Sequence, residues 1–246
     1  MLFRSVKEFE VNKTEYKTEV RVIKYRCENQ YAEVELSDAG SVSVPRMLNK
    51  LVEDPDRNGI IVEEAMRLYH LGLCIFIFTD RRSHAEELVQ TLSRYQYALG
   101  RDKFRKVLPA NIWLTLTTPL WDLVYDYLYP EDLNVMTLLG GAGEEEISWA
   151  KSFSRIIVTT YAYSSTGVSI DKLNAAILAT PRKNGMTQIL GRIYRLAGDA
   201  TVTRRIVDLV DWNTPMKKQY YERRKTYLAR ADTEVEIIEK IGRAHV

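Results

Sequence analysis

"LCIFIFTDRRSHAEELVQTLSRY" runs from Leu73 to Tyr95 and contains two patterns in one stretch. Leu73–Thr79 is a short, nearly continuous apolar run, the mark of a strand buried on both faces. Ser83 and Glu86 stand three apart, the spacing of a capping box, so a helix is predicted from Ser83 to Tyr95. His84 falls in its first turn and is expected to be exposed. A doubly covered strand followed at once by a helix is the repeating unit of a parallel sheet with helices on both sides.

The alternation extends in both directions. Upstream, "IIVEEAMRLYHLG" has helical spacing and stops at Gly72, after a turn-rich break in "EDPDRNG" (Glu53–Gly59). Downstream come "NVMTLL" (strand), "GEEEISWAKSF" (helix), "RIIVTTY" (strand), "AAILATP" (strand), "MTQILGRIYRLAG" (helix) and "RIVDLVD" (strand). "TPMKKQYYERRKTYLAR" closes as a helix, with Pro215 suited to its first turn. The fold class is therefore α/β. "EVRVIKYRCENQYAEVEL" alternates apolar and polar residues and reads as an N-terminal extended segment. Residues 95–133, rich in Trp113, Trp121 and Tyr125, read as a helical insertion.

Composition limits the possibilities. With 246 residues, 46% of them hydrophobic, the chain can bury a sizeable core. A net charge of +2 neither requires nor excludes nucleic acid, so any anion site must be local. Cys27 and Cys74 are far apart and read as free thiols, which fits a reducing, intracellular compartment. No apolar run reaches the ~20 residues of a membrane span. "LFRS" (Leu2–Ser5) and "IGRAHV" (Ile241–Val246) resemble in-frame translations of sequencing adapters. Residues 1–5 and 241–246 are thus expected to be artefacts of a gene that continues both ways.

Three stretches fall where parallel sheets gather their sites, at the carboxyl ends of strands. "FTDRRSH" places Asp80, Arg81 and Arg82 there. "TTYAYSSTGVSID" supplies Thr160, Ser165, Thr166, Ser169 and Asp171, with Gly167 allowing close backbone approach. Hydroxyls and backbone N–H groups suit phosphate oxygens. "QILGRIYR" sets Gln188, Arg192 and Arg195 on one stripe of a helix turning about 100° per residue. Asp208 and Asp211 suggest metal ligands and read as structural.

In order and spacing these stretches resemble motifs IV, V and VI of the second RecA-like domain of superfamily 2 helicases. The details "SSTGVSI" and "ILATP" are similar to phage UvsW-type and large-DNA-virus helicases. Motif VI, Q-x-x-G-R-x-x-R, matches at Gln188, Gly191, Arg192 and Arg195; Ser169 stands where many members have Asp. The resemblance implies a RecA-like three-layer sandwich over 56–240, with 6–55 as the tail of the first RecA-like domain and linker. It implies that Arg192 and Arg195 act on the γ-phosphate of ATP, with Arg195 the first choice as finger. Gln188, Gly191 and Asp171 would serve the nucleotide. Thr160, Ser165, Thr166 and Gly167 would grip a nucleic-acid backbone, with Arg81 and Arg82 adding contacts.

Nothing matches G-x-x-x-x-G-K-[ST]; "LLGGAGEEE" is Gly-rich but acidic. The expected identity is the C-terminal motor half of an ATP-dependent DNA helicase or translocase. Its first RecA-like domain, in cis, would hold most of the Mg²⁺ contacts, and this chain alone would not hydrolyse ATP. Two alternatives stand beside it: a transcription-release ATPase acting on RNA polymerase, and a non-catalytic nucleic-acid-binding module. DNA is the expected partner, RNA the variant, in host cytoplasm or nucleus if the source is viral; no membrane partner is expected.

Overall fold

The computed structural model describes residues 16–107, 135–164, 170–194 and 201–242. The strands are β1 (Thr18–Arg26), β2 (Ile75–Thr79), β3 (Val135–Leu138), β4 (Ile156–Thr160), β5 (Ala175–Leu178), β6 (Arg204–Asp211) and β7 (Thr233–Ile241). They form one sheet in the order β3-β4-β2-β5-β6-β1-β7, with each neighbouring pair parallel. The helices are α1 (Val44–Glu53), α2 (Pro55–His70), α3 (Arg82–Val107), α4 (Glu144–Ser152), α5 (Tyr161–Ser164), α6 (Met186–Gly191) and α7 (Lys218–Leu228).

Alternation along β2 divides the core. Ile75 and Ile77 pack with Ile61, Ala65 and Leu68 of α2 and with Ala85, Leu88 and Leu92 of α3. Phe76 and Phe78 face the other way, into a cluster with Ala150 of α4, Ile189 and Leu190 of α6, and Tyr220 and Tyr227 of α7. All five β2 residues are buried, which is why the run is apolar without a gap. The result is the expected three-layer α/β sandwich.

Each face of β6 also buries one carboxylate. Asp211 accepts from Arg57 of α2 at 2.7 and 3.2 Å. Asp208 accepts from Arg223 of α7 at 2.6 and 3.0 Å and from the Tyr227 hydroxyl at 3.2 Å. Each arginine comes from the helix that covers its face, so the pairs fix both outer layers to one strand. This settles Asp208 and Asp211 as structural residues.

Two local expectations are corrected. The break in "EDPDRNG" is confined to Asp54, between α1 and α2, and the rest of the stretch is helical. Asp54 accepts the N–H groups of Asp56 and Arg57, Pro55 takes the first turn, and α2 starts there. The helix after β2 begins at Arg82, so Ser83 lies inside it rather than capping it. The N-terminal extended segment forms β1, which stops at Arg26 and lies between β6 and β7. β7 was not anticipated; it pairs with β1 along its whole length, so Ile241 sits opposite Arg26 and Gly242 N–H reaches Arg26 O at 2.9 Å.

Removing one partner of a buried pair leaves an uncompensated charge and costs about 3–5 kcal/mol. Asp208→Ala is therefore expected to lower unfolding stability by about that amount in denaturant titrations. Glu222→Ala, which breaks an exposed pair with Lys225, is expected to leave the midpoint in place. Equal effects would contradict this assignment.

Candidate functional site

Parallel pairing of β4, β2 and β5 brings three chain segments to one carboxyl edge. β4 ends on Thr160, which is buried; its Oγ1 accepts the Tyr163 N–H at 3.3 Å and so caps α5. Tyr161 stacks on Phe78 with ring centroids 5.7 Å apart and donates its hydroxyl to Thr180 O at 2.9 Å. Full burial raises its phenol pKa well above the usual value. Thr160 therefore has an intramolecular role at the point where motif V begins.

β2 ends beside it. Asp80 pairs with Arg182, from the segment after β5, at 3.0 Å. Burial raises the Asp80 carboxyl pKa, opposed by the charges of Arg182 and Arg81. Arg182 also lies over the Tyr161 ring, 5.4 Å from its centroid. The pair joins all three segments. Arg182 was not singled out from sequence, although the strand-end rule that selected Asp80 applies equally to "ATPRKNG".

The two motif IV arginines differ. Arg81 donates to Asn49 Oδ1 at 2.8 Å and Pro45 O at 3.1 Å, so it ties the loop to α1. Arg82 is exposed and makes a 3.3 Å contact to Gly140 O. His84 is not an exposed first-turn residue. It is buried between Thr79 Oγ1 (2.8 Å) and Asn58 Oδ1 (2.9 Å), under the same loop. It is still in the first turn of α3, which starts two residues earlier than capping-box spacing implies, and its two hydrogen bonds hold the ring inward.

Positions of motif VI differ in burial. α6 ends at Gly191 and the chain tightens into a 3₁₀ turn at Arg192–Tyr194. Gln188 is exposed whereas Arg192 is buried at 8% exposure. The helix also travels. Its start follows the loop beyond β5, but the Tyr194 hydroxyl lies 3.1 Å from Oγ1 of Thr18, the first residue of β1. The Tyr194 side chain thus reaches the amino edge of the sheet, not the carboxyl edge. Asp171 is exposed in a turn just before β5, on the same amino side. Apart from its chain neighbours and the backbone of its own helix, nothing among the described residues comes within 4 Å of where a side chain on Gly191 would start. Arg195, Ser165, Thr166, Gly167 and Ser169 lie outside the described residues, as do Trp113, Trp121 and Tyr125. Both cysteines are free, and Cys74 is half-buried rather than in the core. Among the described residues no helix is long and apolar enough to cross a membrane.

Similarity to known proteins converges on one group. No family model matches the chain. It is 33% identical over 198 residues to "Putative ATP-dependent RNA helicase QP509L" of African swine fever virus, Warthog/Namibia isolate, covering 76% of this chain. The Tick/Malawi isolate gives 32% over the same length. The chain spans 33% of the length of these relatives. Among solved structures, T4 UvsW aligns with a TM-score of 0.55 at 17% identity, covering 90% of this chain and 42% of that one.

Burial lowers the His84 pKa to about 3, with Arg57 adding repulsion. An unfolded histidine takes its proton near 6.5. Between those values the unfolded state binds more protons, so stability is complete above about pH 6.5 and falls as pH drops toward 3. The His84 imidazole resonances are expected to stay in the neutral form at pH 5; titration near 6.5 would contradict its placement.

Proposed function

Because the chain belongs to the superfamily 2 helicases as a C-terminal RecA-like domain, we propose that it is one half of an ATP-driven nucleic-acid motor. Its two sheet edges take different ligands. The carboxyl edge, with Arg82 and the segment opened by Thr160, serves the strand. The amino side, with Asp171 and the end of motif VI, serves the nucleotide. The observation that carries this reading is the path of Gln188–Tyr194, one short element leading from the first edge to the second.

The exposed Gln188 and the open space at Gly191 fit a nucleotide held between this lobe and another. ATP would supply phosphoanhydride cleavage to the motor, and Mg²⁺ would be held mainly by the first RecA-like domain. Arg192, buried within this lobe, would hold the turn that presents the next arginine. Arg195 would reach the γ-phosphate as the finger. Guanidinium suits that task because it is planar, always charged and binds oxygens bidentately. On the other edge, Ser165, Thr166 and Gly167 would offer hydroxyls and N–H groups to phosphate oxygens, with Arg82 as an added cation. The Asp80–Arg182 pair would keep motifs IV and V in register.

Such contacts read the backbone and not the bases. The motif resemblance to UvsW-type helicases favours DNA, while the relatives' printed name carries RNA. Competition between oligothymidylate and oligouridylate on the two-lobed parent separates them.

In that parent, Arg195→Ala is expected to leave nucleotide affinity within a few-fold and to cut hydrolysis by about 10³–10⁵. Gly191→Val is expected to fold normally and to weaken nucleotide binding. Unchanged hydrolysis in Arg195→Ala would overturn the finger assignment.

A further inference from the structure

The carboxyl edge continues beyond the three motifs. Past β5 lies Lys183, and past β6 lie Lys217 and Lys218, all exposed. Trp212, half-buried between β6 and α7, has Lys24 Nζ at 4.3 Å and Lys217 Nζ at 5.9 Å from its ring centroid. Together with Arg82 beyond β2, these cations cover the ends of β2, β5, β6 and β1. Those are consecutive neighbours in the sheet, about 4.8 Å apart.

The acids on this stretch are already engaged. Asp80 pairs with Arg182, Glu222 with Lys225, Asp208 with Arg223, and Asp211 with Arg57. Glu239 lies 3.9 Å from Lys24. Among the described residues Lys183, Lys217 and Lys218 make no ion pair. Lys183 comes only within electrostatic range of Glu222. The strip has limits: Glu144, Glu145 and Glu146 follow β3, and exposed Glu28 follows β1. Charge along the edge thus changes sign, from acidic at β3 to basic over β2, β5 and β6. A low overall net charge conceals this asymmetry.

We infer that Lys183, Lys217 and Lys218 form a second stretch of the strand track, which takes the phosphodiester backbone of a single strand leaving Arg82. This rests on the nucleic-acid reading above but goes beyond its motif residues. Unpaired, solvated cations release condensed counterions from a polyanion, and each phosphate neutralised on a single strand adds about 0.7 to the salt slope of affinity. Trp212 holds Lys24 and Lys217 near the track.

The test is fluorescence anisotropy of labelled oligothymidylate and oligouridylate twenty-mers with the chain, across a salt series. Lys217→Ala/Lys218→Ala is expected to weaken binding and to flatten the log–log slope by about 1.4. Arg82→Ala is expected to weaken binding as well. Lys225→Ala, whose charge is already paired, is expected to match the parent. If Arg82→Ala weakens binding while the double variant keeps the parent slope, the second stretch is wrong and the motif reading stands. If the parent chain binds neither oligonucleotide, both fall.

Discussion

The pairing of β2 with β4 on one side and β5 on the other is the constraint on which the rest depends. Parallel ladders align carboxyl ends, so three segments far apart in the chain meet at Thr160, Asp80 and Arg182 without further adjustment. β2 can occupy that central position only because both of its faces are apolar. Burying a side chain such as Phe76 or Ile77 contributes about 1.5–3 kcal/mol, and the strand has five buried residues in a row. Polar contacts then refine what the apolar core positions. His84, Thr79 and Asn58 support the motif IV loop from below, and the Asp80–Arg182 pair ties it to the segment after β5.

Periodicity made the layered sheet and most of its strands legible in sequence, because buried strands and amphipathic helices differ in period. It could not show which strand sits beside which. β1 is the clearest case: its alternating pattern reads as strand or extended chain, but only tertiary pairing places it between β6 and β7. The "EDPDRNG" segment misled for a local reason. Asp, Pro and Gly mark turns, yet the same Asp-Pro pair caps a helix when the carboxylate finds two free N–H groups.

The candidate site was legible as motifs and not as geometry. Spacing put Gln188 and Arg192 on one stripe, and the backbone is helical through both. Gln188 is nevertheless exposed and Arg192 buried, a difference set by what packs around each and not by helical phase. The 3₁₀ turn at Arg192–Tyr194 brings the Tyr194 hydroxyl to Thr18, at the opposite edge from Arg82. Side-chain partners were equally beyond reach. Nothing in "TDRR" separates Arg81, tied to α1, from Arg82, which faces solvent.

In the proposed motor, one element spans from the edge that grips a strand to the side that meets a nucleotide. Hydrogen exchange on the two-lobed protein tests that division most directly. A non-hydrolysable nucleotide is predicted to slow exchange around 188–195 and 170–172, and a single-stranded oligonucleotide to slow it around 79–83 and 160–164. Nucleotide protection confined to the second set, or strand protection confined to the first, would contradict the account.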